Sequence, residues 1–208
     1  MDTNEFDRAL IGAVFQQAGL VGWRSANLVV AAREAGLELA RVRARFPNKA
    51  AVLLRFGVLA DQAVLADAPT AGTPREKLFD LLMARFDQVQ AHRAGMLALI
   101  QAAKFDPGLL LLLGSSTLRS MAWLLDAAGV PREGVPGVLR AHGLAAVWAY
   151  ALRAWEKDDS ADMSSTMAAV DRGLDRAVQA EDMLPGHRRD APPDEGSSGG
   201  AGPAPDVL

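Results

Sequence analysis

Apolar residues recur along this chain at three- and four-residue spacing, with none of the single alternation that marks a half-buried strand. Phe6, Leu10, Ile11, Val14 and Phe15 give an amphipathic helix over 4–18, closed by Gly19. Leu28, Ala31, Ala32 and Ala35 give a second, with Ser25 as its cap and Gly36 as the left-handed residue that ends it. Leu37 plugs the angle to a third short helix over 38–46, stopped by Phe46-Pro47. Asn48 caps a longer helix over 49–66, with Val52, Leu53, Phe56, Leu59 and Val64 on its apolar face. Helix, glycine turn, helix is the helix-turn-helix pattern.

Pro69 and Gly72 mark a loop over 67–72, the best internal boundary. Thr73-Pro74-Arg75-Glu76 then combines a threonine cap, proline at the first helical position and glutamate at the third. Further helices follow over 92–104, 109–128 and 137–157, with breaks at Phe105-Asp106-Pro107 and between Pro131 and Pro136. Ser160 with Asp162 opens a last helix, striped by Met163, Met167, Val170, Leu174 and Val178. The expected fold class is therefore all-α, with a helix-turn-helix module over 1–48, a linking helix over 49–66 and a helical domain over 73–182. From Met183 the composition turns to proline, glycine, serine and acid, which predicts a disordered tail over 183–208.

Composition narrows the chemistry. Half of the 208 residues are apolar, enough for a sizeable core. A net charge of −3 argues against binding nucleic acid over the whole surface, though a local basic patch is compatible with it. Without cysteine there is no disulfide, thiolate metal site or thiol nucleophile. No basic-then-apolar leader is visible at the start, and a cytoplasmic protein is expected, with at most peripheral contact at the inner membrane face. No segment reads as a membrane span: Leu109 to Leu113 is too short, and 138–155 is interrupted by Arg140, His142 and Arg153. His92, His142 and His187 fall in separate segments with no second ligand at metal spacing, so a structural role is expected of them. Nor is there a phosphate-cradling glycine loop or a nucleophile elbow. No enzyme, metal or cofactor is expected.

AAREAG (31–36) and RFPNKAAVL (45–53) resemble the helix-turn-helix and the aromatic-Pro-x-Lys signature of the TetR family of repressors. That resemblance implies a dimer that reads operator DNA through Asn27, Leu39, Arg41, Arg43, Arg45 and Lys49 and answers to a small molecule. Glu38 stands where that family places a small hydroxyl residue before the recognition helix. A longer stretch is similar to the lipid-binding accessory family of ubiquinone biosynthesis, whose fold is TetR-like. Gly22-Trp23, Gly36-Leu37 and the sequence from Arg140 through the Asp-Ser-x-Asp junction at 159–162 carry it. It implies a non-catalytic homodimer that holds an isoprenoid quinone precursor and docks a demethoxyubiquinone hydroxylase, with Arg140, Asp158, Asp159 and Asp162 on the partner surface. The apolar stripes of the C-terminal helices then supply the candidate ligand residues: Phe79, Met83, Phe86, Met96, Ile100, Met121, Trp123, Leu144, Trp148, Met163 and Met167. Core packing explains most of these, but methionine and tryptophan together suit an adaptable apolar cavity.

Overall fold

The computed structural model describes residues 1–182, and the expected tail lies outside them. Among the described residues there are nine helices and no strand. The N-terminal module is α1 (Thr3–Val21), α2 (Leu28–Glu34) and α3 (Leu39–Arg45), and α4 (Lys49–Ala66) links it to α5 (Pro74–Gln90), α6 (Arg93–Ala103), α7 (Pro107–Ala127), α8 (Gly134–Trp155) and α9 (Ser164–Asp182).

Local cap chemistry explains most of these boundaries. Asp2 and Glu5 form a capping box at α1, and Thr73 and Glu76 form another at α5. Asn48 Oδ1 accepts from Ala51 N at the start of α4. Several boundaries differ from the sequence reading. Helix α8 starts at Gly134 rather than at 137, because Pro136 falls in its first turn, where no backbone N–H is needed. Helix α1 runs through Gly19 to Val21 and ends at Gly22, whose φ is 83°. Gly19 is a contact residue rather than a stop, because a Cβ there would sit 2.9 Å from the Ala94 Cβ of α6. Asn27, not Ser25, caps α2: its Oδ1 accepts from Val29 N at 2.8 Å, and its own N–H donates to Gln17 Oε1 at 2.6 Å. Pro107 starts α7 instead of breaking it, since Asp106 Oδ1 accepts from Leu109 N and proline suits the first helical position. Helix α9 starts at Ser164, because 158–163 is a cap-forming turn.

That turn is built on Asp158, which is 5% exposed. Its carboxylate accepts from the backbone and hydroxyl of Ser160 (3.2 and 2.5 Å) and of Thr166 (2.7 and 2.7 Å). Burial alone would raise its pKa. The hydrogen bonds from Ser160 and Thr166 outweigh burial and pull the carboxyl down to about 2. A carboxylate depressed in the fold stabilises above its unfolded value of about 4 and loses that contribution as pH falls towards 2. Asp158→Ala is therefore expected to lose about 2 kcal/mol at pH 7, by analogy with lost helix caps. Urea unfolding at a series of pH values should show the gap to wild type closing between about pH 4 and 2.

Packing joins the elements into one continuous apolar core, from Phe6 and Leu10 in the module to Trp155 and Val170 in the closing pair. Helix α1 lies along α6, α4 packs on α7 and α5, and α8 pairs with α9. Gly95 is what lets α6 approach α1: an added Cβ would strike the Phe15 carbonyl and lie 2.8 Å from its Cα. Gly95→Ala is thus expected to cost about 2 kcal/mol, the middle of the range for overpacking against atoms that cannot yield. A wild-type melting temperature in that variant would contradict this contact.

The sequence reading missed one property of α7. By length and composition it is apolar enough to cross a membrane, and only 22% of its most apolar window is buried. The hydroxyl run at Ser115-Ser116-Thr117 interrupts the leucines without charge, so the helix is longer than its leucine run suggests. Here it packs on α4 and α8, leaving Leu110, Leu111 and Trp123 exposed.

Candidate ligand cavity and helix-turn-helix face

Where α4 to α8 converge they line a partly open cavity of about 120 Å³. Its walls are Leu53, Phe56, Gly57 and Ala60 of α4, Arg85 and Val89 of α5, and Met96, Leu99 and Ile100 of α6. Leu113, Ser116 and Thr117 of α7 and Trp148 and Leu152 of α8 complete it. The Trp148 indole is held by stacking on Phe86, with ring centroids 4.3 Å apart and planes 26° apart. Gly57 lets α4 come close to α7, since a Cβ would lie 3.3 Å from Ser116 Oγ.

One polar group interrupts this apolar lining. The Arg85 guanidinium, 5.5 Å from the Trp148 ring centroid, is ion-paired to Asp61 and donates to Ser120 Oγ at 3.1 Å. Ser120 Oγ in turn donates to the other Asp61 oxygen at 2.7 Å, which closes the triad. Burial pushes the Arg85 pKa down to about 10, still far above neutrality, so the group stays charged and Asp61 balances it. The hydroxyls of Ser116 and Thr117 make no hydrogen bond among the described residues.

The structure distributes the expected ligand residues unevenly. Met96, Ile100 and Trp148 line the cavity. Phe86 lies behind Trp148, Met121 and Leu144 are buried in the core, and Phe79 and Met83 are half-buried against it. Met163 occupies the turn before α9 with φ of 53°, and Met167 is half-buried on α9. Trp123 departs most from the expectation: it is 62% exposed on the outer face of α7 and is not part of the cavity wall. Arg85, Asp61, Ser116 and Thr117 went unnoticed. The available signal was an arginine at a core position of α5, in register with Leu78, Leu82, Phe86 and Val89.

The helix-turn-helix face is less basic than its sequence suggests. Arg45 is ion-paired to the fully buried Asp7, which also holds Arg55 of α4 at 2.5 Å. Burial would raise the Asp7 carboxyl, but the two arginines hold it below its ordinary value. The Arg41 guanidinium lies 4.1 Å over the Phe6 ring. Lys49 donates to the carbonyls of Trp23 and Arg24 at 2.7 and 3.0 Å, and burial lowers its pKa. Asn27 is engaged as the α2 cap and Leu39 is half-buried. Of the expected cations, only Arg43 is exposed without an ion pair among the described residues, beside the exposed Ala40 and Ala44.

The four residues expected on a partner surface do not form one exposed group. Asp158 is buried in its turn, and Arg140 is half-buried, donating to Glu181 at 2.7 Å and to the Pro131 carbonyl at 2.8 Å. Asp162 caps Ser164, and Asp159 projects to solvent within 3.6 Å of Arg93. His92 stacks on Phe15 and meets Phe56 edge to face, and burial lowers its pKa; His142 Nδ1 sits 2.8 Å from the Val138 carbonyl. His187 lies outside the described residues. Among those residues no cluster of three or more His, Cys, Asp or Glu could hold a metal.

Solved structures share this fold. A TetR transcriptional regulator from Nitrosomonas europaea matches with a TM-score of 0.69 at 18% identity, over 84% of this chain and 99% of that one. The fold is TetR-like. A transcriptional regulator from Rhodococcus sp. Rha1 matches it at a TM-score of 0.54 and 20% identity, over 86% of this chain and 99% of that one. No protein-family model matches the chain, and no curated protein matches it. In this TetR-like frame α4 is both a wall of the cavity and, through Arg55 and Asp7, a support of the helix-turn-helix module.

Proposed function

We propose that this is a non-catalytic binding protein, dimeric in use, whose C-terminal cavity takes the ring end of an isoprenoid quinone precursor and presents it to a hydroxylase. The observation that carries this reading is a contrast within the molecule. An apolar cavity with one polar spot lies in the C-terminal bundle, while Arg41, Arg45 and Lys49 are occupied by intramolecular partners. About 120 Å³ suits a ring and not a polyprenyl chain. The tail therefore lies outside the cavity, and the exposed Leu110 and Leu111 of α7 offer it apolar surface. Each buried methylene contributes about 0.8 kcal/mol, so a few isoprene units suffice for micromolar affinity. Organic extraction and mass spectrometry of purified protein should recover an isoprenoid lipid. Finding none, with none bound on addition, would end this reading.

A ligand-responsive repressor is the second reading, favoured by α4 serving both the cavity and the helix-turn-helix module. It requires salt-dependent binding to duplex DNA near its own promoter. Arg43→Ala is the informative variant, because Arg45 is committed to Asp7. Loss of one phosphate contact should weaken binding across sequences and reduce the salt slope by about one. Absence of binding to genomic fragments at low salt would exclude this reading.

A further inference from the structure

Apolar packing does not require an arginine in the wall of a cavity of about 120 Å³. We propose that this cavity selects an uncharged, oxygen-bearing six-membered ring, whose oxygen is hydrogen-bonded by Arg85 and by the hydroxyls of Ser116 and Thr117, and that it rejects anions. The proposal rests on the reading that this cavity is the working site, and it names the chemistry of the group that enters.

Charge decides the class. Arg85 and Asp61 cancel, and no other ionisable side chain lines the cavity. A carboxylate entering it would be a buried charge without a counterion unless it displaced Asp61, which Ser120 also holds. An ammonium group would meet the guanidinium. A phenol, quinone or aromatic carbonyl brings no charge and offers the acceptor that the site lacks.

Donors are in place for that acceptor. A guanidinium has five N–H groups, and Arg85 uses one on Asp61 and one on Ser120. The free hydroxyls of Ser116 and Thr117, one helical turn before Ser120 on α7, can donate or accept. Size agrees: an engineered apolar cavity of about 150 Å³ in another protein binds benzene. The Met96 side chain in the wall is flexible enough to supply the remaining space.

Calorimetric titration of the full-length protein with phenol, toluene and benzoate at pH 7 tests this. Phenol should bind about tenfold more tightly than toluene, the difference expected of one good hydrogen bond. Benzoate should bind at least tenfold more weakly than phenol. Ser116→Ala/Thr117→Val, which removes no hydrogen bond of the fold, should erase several-fold of the phenol preference and leave toluene binding unchanged. Asp61→Leu/Arg85→Met should erase the rest. Benzoate binding as tightly as phenol, or a phenol preference untouched by both double variants, would overturn the proposal. Recovery of a lipid from the protein with no binding of any ring probe would also overturn it while sparing the carrier reading. Phenol-selective binding with no isoprenoid on extraction would uphold it and remove the carrier reading instead.

Discussion

Arg85→Met is expected to destabilise the protein by about 3–5 kcal/mol, the usual result of removing one partner from a buried ion pair. The single variant leaves the Asp61 carboxylate, only 16% exposed, without its counterion and with Ser120 as its remaining donor. In a domain of this size the loss corresponds to a fall in melting temperature of about 10 °C. The companion expectation has the opposite sign. In Asp61→Leu/Arg85→Met both charges are gone and desolvation of two ions no longer opposes folding, so most of the lost stability should return. Urea unfolding of the four members of this cycle checks both statements. A single variant within about 1 kcal/mol of wild type would show that Asp61 finds water when Arg85 leaves. A double variant no better than the single would show that the triad organises α4, α5 and α7 beyond its electrostatics. The cycle also separates the stability of the site from its ligand chemistry, since a restored fold without the ion pair should keep only the share of the phenol preference that Ser116 and Thr117 supply.

Sequence makes legible what depends on near neighbours. The Thr73-Pro74-Arg75-Glu76 start of α5, the Asn48 cap of α4 and the glycine turn at Gly36, with φ of 65°, all involve groups within a few residues of each other. The Gly22-Trp23 and Gly36-Leu37 pairs are also explained locally. Trp23 is buried beside Phe15 and under Lys49, and Leu37 is buried between α2 and α3, so these residues are needed by the module whatever it binds. Illegible were the choices made by distant partners. Gly19 looks like a helix stop until Ala94 is found against it. Arg45 looks like a DNA contact until Asp7, 38 residues earlier, is found to hold it. Arg85 breaks the apolar stripe of α5 for reasons visible only once Asp61 and Ser120 are brought to it by α4 and α7. Trp123 shows the reverse error: an apolar residue in an apolar helix reads as interior, yet it is exposed on the outer face of α7 among the described residues.

Asp7→Ala is expected to destabilise the fold by about 3 kcal/mol and, at the same time, to raise affinity for duplex DNA. The carboxylate is fully buried and joins three helices, α1 through its own backbone, α3 through Arg45 and α4 through Arg55. Its removal leaves two like charges side by side. Their side chains are 35% and 24% exposed, however, and can turn to water, which places the cost at the lower end of the range for a broken buried pair. The sign with pH follows from the depressed carboxyl: its contribution is complete above the unfolded value of about 4 and is lost below it, so wild type and variant should converge on acidification. The freed arginines add up to two phosphate contacts at the module surface. The slope of log K against log salt should steepen by up to about two, measured by fluorescence anisotropy on a labelled duplex. If the variant loses stability but gains no affinity for DNA at low salt, the basic residues of α3 are structural struts and the repressor reading loses its remaining support. If affinity rises with the expected slope, the face retains a latent capacity for DNA that Asp7 suppresses in the wild type.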